Sequence, residues 1–174
     1  HFEFEGAMMM PGFNCPHGLD YTYVKRFEQV LSGHFHHKSE LGNIRYLGSQ
    51  MEFTWGDFGD QKYFHIFDTE TRELERVPND LAIFKKIIYD DRTKDYTNFD
   101  LSPYENCFVK LFVSFKTNEE MYNKLVERFY TNSNVHELQI IEDPVDIKQT
   151  VKSNILDQGE DTMTFLNNYI DQVD

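Results

Sequence analysis

Apolar residues fall in short runs along most of this chain, at strand-like spacing, and helical spacing is confined to a few stretches. Residues 1–5, His-Phe-Glu-Phe-Glu, alternate with the two-residue period of a strand. Residues 6–18 contain Pro11, Gly12, Pro16 and Gly18 and are predicted as a loop. Asp20 stands as a capping residue before a short helical turn running through Tyr23 and Phe27. Strands are predicted over 28–32, 44–47 and 51–55, with Gly56-Asp57-Phe58-Gly59-Asp60 as a tight turn behind them. A hairpin is predicted over 63–67 and 74–77, turning at Asp68-Thr69-Glu70-Thr71, and Pro78-Asn79-Asp80 closes this block.

A second block opens with a strand over 81–89 and a polar loop over 90–103. Residues 108–115 form the strongest strand pattern in the chain. Thr117-Asn118-Glu119-Glu120 has the form of a capping box for a helix over 117–131, with Met121, Leu125 and Phe129 on one stripe and Tyr122 and Val126 beside it. A strand over 135–141 completes a strand–helix–strand module. The fold class is therefore α/β in the α+β sense, divided as 1–79, 80–142 and a tail over 143–174. In the tail, 143–160 reads as a linker and 163–173 as the start of an amphipathic helix.

The 174 residues suffice for one domain or somewhat more, with a real core. The chain starts at His1 rather than Met and is read as a piece of a longer protein. No signal-peptide pattern opens it, and its longest apolar stretch, 107–115, is too short to span a bilayer. Cys15 and Cys107 form no close pair, which suits a reducing compartment, so the expectation is a soluble cytoplasmic protein without a membrane partner. A net charge of −13 argues against a surface that coats DNA nonspecifically. The acidity is uneven: from Glu142 onward eight acidic residues face only Lys148 and Lys152, while residues 80–141 carry ten acids and eight bases.

Chemistry concentrates in Ser32-Gly33-His34-Phe35-His36-His37. At a strand end, residues i and i+2 point the same way, so His34 and His36 are expected to present two imidazoles to one side. Gly33 lets the chain turn and leaves space beside them. Neutral imidazole is the commonest transition-metal ligand, which makes this pair the leading metal candidate. His37 should face away, and His17, His65 and His136 have no partner at ligand spacing. The zinc-protease pattern His-Glu-x-x-His is absent, and Lys38 stands where a His-x-His-x-Asp hydrolase needs aspartate. A mononuclear cupin-like site with Glu40 as third ligand is the rival, although its early glycine and late histidine are not found.

With these residues in view, the chain resembles the calcineurin-like metallophosphoesterases, and among them the SbcD-type DNA repair and recombination nucleases, most of all the phage recombination endonuclease subunits. Ser32-Gly33-His34-Phe35-His36-His37-Lys38-Ser39 is similar to the last metal motif, Gly-His-x-His. The segment Asn43-Ile44-Arg45-Tyr46-Leu47-Gly48-Ser49 is similar to the Tyr-Pro-Gly-Ser that follows it, with Leu47 in place of proline. The stretches Met51-Glu52-Phe53-Thr54-Trp55-Gly56-Asp57 and His65-Ile66-Phe67-Asp68-Thr69-Glu70-Thr71-Arg72-Glu73-Leu74-Glu75 resemble the phage members. His1 falls where the family carries an isolated metal histidine.

The resemblance implies the C-terminal half of a four-layer phosphoesterase sandwich over 1–79 and a small α/β capping lobe over 80–142. It implies two divalent ions, manganese or else magnesium, with His1 and His34 on one and His36 on the other. The remaining ligands, in Asp-x-His, Gly-Asp-x-x-Asp and Gly-Asn-His-Asp motifs, are expected upstream of His1, together with the residues of catalysis. The implied chemistry is hydrolysis of DNA phosphodiesters by a metal-activated hydroxide, with Lys38, Lys85 and Lys86, then Arg92 and Lys94, as basic candidates for DNA contact. Implied partners are DNA, an SbcC-type ABC ATPase docked near the tail helix, and a second copy of the full-length protein. On this reading the 174-residue chain alone is inactive. The alternative is a phosphoesterase-like module that binds without cutting.

Overall fold

The computed structural model describes residues 1–142, which form ten short strands and one α-helix. The chain is thus mixed α/β and mostly strand. The described residues divide into two units meeting between Leu81 and Ala82. The linker and helix expected over 143–174 lie outside the described residues.

In the first unit, β1 (Met8–Met10) and β2 (Phe13–Asn14) form a small antiparallel hairpin inside the segment expected to be loop. Pro11-Gly12 makes its turn, with Gly12 at φ 85°, so the residues that signal a loop here close a ladder. After a 3-10 turn over Tyr21–Val24, capped by Asp20 as expected, β3 (Val30–Ser32) pairs in parallel with β5 (Ile44–Tyr46). An unexpected strand, β4 (Ser39–Leu41), pairs antiparallel with β5 across the two-residue turn Gly42-Asn43. On β5, Ile44 and Tyr46 point into a core with Phe4, Ala7, Cys15 and Phe35.

The strand expected over 51–55 does not form. The buried Asp57 carboxylate accepts the backbone N–H groups of Phe53 and Thr54, each at 2.9 Å, and draws this segment around itself into a 3-10 turn over Trp55–Asp57. The hairpin β6 (Lys62–Phe67) and β7 (Leu74–Asn79) forms as expected. Its turn is held by Asp68, whose Oδ1 accepts from the amides of Glu70 and Thr71.

The second unit is a three-stranded parallel sheet, ordered β10 (Glu137–Ile141), β9 (Phe108–Phe115), β8 (Phe84–Asp90). Between β9 and β10 runs α1 (Glu119–Asn132). Tyr122, Leu125 and Phe129 are buried in one cluster with Val109, Leu111 and Val113, and Met121 and Val126 pack at its margin. The stripe is therefore as expected, but the cap is not. Asp91 claims Thr117, accepting from its amide at 2.8 Å and its hydroxyl at 2.8 Å. The cap passes to Asn118, whose side chain accepts from the Met121 amide at 3.0 Å, and Glu120 pairs with Lys124 instead.

Two substitutions check this arrangement. Leu125→Ala, at a position 1% exposed, should cost about 2–5 kcal/mol in urea unfolding. Asn118→Ala should cost roughly 1 kcal/mol, the scale of a lost N-cap.

Candidate metal centre

The histidine segment is anchored by the residue between its two leading imidazoles. Phe35 is buried, its ring 4.8 Å from that of Tyr46, and this fixes the backbone that carries His34 and His36 on either side. The strand rationale does not hold here. β3 ends at Ser32, residues 34–37 are bends, and His34 has φ 102°. The two imidazoles are oriented by separate partners rather than by pleat alternation.

His34 faces the N-terminal segment. Its Nε2 lies 2.6 Å from Glu3 Oε1, and its ring centroid is 5.3 Å from that of His1, edge to face. Gly33 makes this possible, because a Cβ there would come within 2.8 Å of His1 Nδ1. The space expected beside the ligands exists and is filled by the His1 ring. His1 and Glu3 are held by Tyr46, whose hydroxyl donates to the Phe2 carbonyl at 2.8 Å and accepts from the Phe4 amide at 3.0 Å. Phe4 also bridges to Leu19, although 1–5 is not a full strand.

His36 is held at both ends. Its carbonyl accepts from the Ser49 amide at 3.0 Å and from Lys62 Nζ at 3.1 Å. Its Nδ1 lies 3.0 Å from Asp57 Oδ2. An ionised carboxylate can only accept, so Nδ1 carries a proton and donates it, and Nε2 is the nitrogen left for another partner. This is the arrangement in which a second carboxylate orients an imidazole toward a metal. His37, expected to face away, has its Nδ1 3.0 Å from Asp60 Oδ2 and is largely enclosed.

Asp57, Asp60 and Lys62 are functional candidates that the sequence reading passed over. Lys62 Nζ donates to Asp57 Oδ1 at 2.7 Å and Asp60 Oδ2 at 2.8 Å, so one buried ammonium ties both aspartates. Burial alone would raise the Asp57 pKa, but the Lys62 ammonium and the Phe53 and Thr54 amides outweigh it and hold the group at about 2. The signal was present: Gly56-Asp57-Phe58-Gly59-Asp60 spells Gly-Asp-x-x-Asp, the pattern expected only upstream of His1. It sits behind Gly-His-x-His, and Asp57 is fully buried with Lys62, two amides and His36 around its oxygens. It therefore acts on the imidazole rather than as a direct ligand.

The basic candidates are placed as follows. Lys38 is exposed, its Nζ 3.2 Å from the Tyr63 hydroxyl. Lys85 and Lys86 are half-buried on β8, and burial lowers the Lys86 pKa. Arg92 is engaged with Asp90 through two nitrogens, at 3.0 and 2.9 Å, and Lys94 lies over the Phe99 ring. Cys15 and Cys107 are free thiols. Among the described residues no helix is long and apolar enough to cross a membrane.

No family model matches the chain. It is nonetheless related to a phage nuclease subunit. The chain is similar to exonuclease subunit 1 of Enterobacteria phage T4, with 39% identity over 100 residues. The match covers 57% of this chain and 29% of the phage protein, so the chain spans less than a third of that relative.

The Asp57 clamp predicts a specific pH dependence. Its carboxyl binds a proton more weakly folded than unfolded, so its contribution is complete above the ordinary carboxylate value near 3.8 and disappears as pH falls through about 2. That pH-dependent share is on the order of 2 kcal/mol. Urea unfolding of the native chain and Asp57→Asn, from pH 6 to pH 2, should show the stability gap narrowing only below about pH 4. A constant gap would remove the ionised clamp.

Proposed function

We propose that this chain is the C-terminal part of the nuclease domain, followed by a small capping lobe, of a metal-dependent DNA nuclease of the phosphoesterase type. The observation that carries this reading is the His1 ring lying over Gly33 against His34, from 33 residues away. The similarity to exonuclease subunit 1 supports the reaction class. In this reading residues 1–79 are half of the phosphoesterase sandwich, and the parallel sheet with α1 is the capping lobe.

Imidazoles suit divalent transition cations, and His1 and His34 stand side by side, although the three histidines are not gathered within ligand reach of one another among the described residues. His36 offers Nε2, His34 offers the nitrogen that Glu3 leaves open, and His1 adds a third imidazole. When bound, two such ions supply charge stabilisation for the transferring phosphate and lower the pKa of the attacking water. Manganese is the metal of choice here by family resemblance, with magnesium as its substitute, since affinity order alone favours copper or zinc. The protein's own part is to hold the imidazoles aimed. Asp57 fixes the His36 tautomer, Lys62 keeps Asp57 ionised, and Gly33 admits His1. Lys38, exposed near the histidine segment, and Lys85 and Lys86 on β8 would meet DNA phosphates. An SbcC-type ATPase and a second copy of the full protein complete the assembly in this reading, acting in the cytoplasm.

Neither Asp-x-His nor Gly-Asn-His-Asp occurs in the 174 residues, and the single Gly-Asp-x-x-Asp is committed to Lys62 and the imidazoles. The chain alone is therefore expected to bind metal without cutting. The test is manganese-dependent release from a labelled duplex, run on this chain, on the full-length protein with its ATPase, and on full-length His34→Ala and His36→Ala. Cutting should appear only with the unsubstituted full-length protein and fall to background in both variants, whose circular dichroism stays native. Full activity in both variants would overturn the metal assignment. DNA binding by the full-length protein without cutting would make it a binding module.

A further inference from the structure

A second group of metal-capable side chains lies on the other side of Glu3. Glu3, Cys15 and His17 bring one carboxylate oxygen, a thiol sulfur and an imidazole nitrogen within 4.8 Å of one another. His17 Nδ1 is 3.2 Å from Glu3 Oε2 and 3.8 Å from Cys15 Sγ. A tetrahedral zinc ion with bonds of about 2.0–2.1 Å to N and O and about 2.3 Å to S separates those pairs by about 3.3 and 3.6 Å. The observed spacings are within a few tenths of an ångström of that.

The backbone around these donors is locked. The Gly6 amide donates to the Cys15 carbonyl at 2.8 Å, and the Cys15 amide to the Ala7 carbonyl at 2.7 Å. The Leu19 amide donates to the Glu3 carbonyl at 2.9 Å, and the Glu5 amide to the Leu19 carbonyl at 3.0 Å. Gly18, at φ 120°, lets residues 15–19 press against Glu3, since a Cβ there would lie 2.7 Å from the Glu3 carbonyl oxygen. Two chain segments are thus fastened together on both sides of the three donors. Cys15 is almost fully buried and His17 is exposed, so one wall of the group is closed and solvent reaches the other.

We propose that Glu3, Cys15 and His17 form a zinc site distinct from the proposed ligands His1, His34 and His36, with the Glu3 carboxylate joining it to His34. A thiolate and an imidazole beside one carboxylate select zinc over manganese or magnesium. Binding replaces the Cys15 S–H bond, whose proton now points to the His17 carbonyl at 2.8 Å, with a sulfur–zinc bond and releases that proton to solvent. Water completes the coordination. Glu3 keeps Oε1 on His34 Nε2 while Oε2 holds the zinc, so an occupied site stiffens the support behind His34. The proposal does not depend on nuclease activity.

The experiment is metal titration of the full chain against a chromophoric chelator, with cobalt as a spectroscopic substitute for zinc. One cobalt should give a thiolate-to-metal charge-transfer band in the near ultraviolet. Cys15→Ser should abolish the band, and His17→Ala should weaken zinc binding at this site at least tenfold. His17 is exposed, so His17→Ala keeps the fold even if Cys15→Ser does not. His36→Ala leaves this site untouched and should retain the band, which separates its failure from failure of the nuclease reading. Absence of the band in the native chain, or unchanged zinc affinity in His17→Ala, would overturn the site.

Discussion

The candidate centre depends on one buried ammonium. Lys62, 2% exposed, has Asp57, Asp60 and the His36 carbonyl around its Nζ, all within 3.1 Å. Burying a lysine charge costs several kcal/mol unless its protons find acceptors, and here two carboxylates and a carbonyl receive them. The same two carboxylates then each take an adjacent histidine, Asp57 the His36 ring and Asp60 the His37 ring. One cation on β6 thereby sets the orientation of two imidazoles on a segment with no regular secondary structure of its own. Replacing the three charges by apolar residues of similar volume would preserve the packing and lose that orientation.

The other half of the centre hangs on Tyr46. Residues 1–5 lack a full strand ladder, so their placement needs a long-range tie. The buried Tyr46 hydroxyl supplies it by bonding the Phe2 carbonyl and the Phe4 amide. Burial raises the Tyr46 pKa, against the opposing pull of the Phe4 amide, so the hydroxyl stays protonated and able to donate. The Tyr46 ring also packs against Phe35, between the two histidines. A single side chain on β5 therefore registers His1 and Glu3 against His34.

What could be read from the sequence follows from the range of the interactions involved. The α1 stripe, the β6–β7 hairpin and the Asp20 cap are decided by neighbours in the chain, and they formed as expected. The Thr117 cap failed because Asp91, twenty-six residues away, takes that threonine's donors. The strand over 51–55 failed because Asp57 withdraws two of its amides from any ladder. In the centre, Gly-His-x-His was legible as a local pattern, and so was the space that Gly33 leaves. The clamp was not. Its aspartates read as turn formers; the Gly-Asp-x-x-Asp spelling marks them as candidates, but nothing local shows that one of them reaches a histidine twenty-one residues back.

The division of labour between Gly33 and His34 bears on whether this is a site or a turn. A positive φ is most easily carried by glycine, and a residue with a Cβ held there costs about 1–3 kcal/mol. In this chain the glycine and the strain are on adjacent residues but not the same one. His34 bears φ 102°, while Gly33 serves to let the His1 ring approach. A sequence shaped for the turn alone would put glycine at 34 and leave 33 free to carry a side chain. Here the imidazole stays in the strained position, held by Glu3 at 2.6 Å and by the buried Phe35 that follows it. Strain kept in this way, next to a glycine used to admit a second imidazole, points to a requirement on the imidazoles themselves, and the ligation proposed above would supply one.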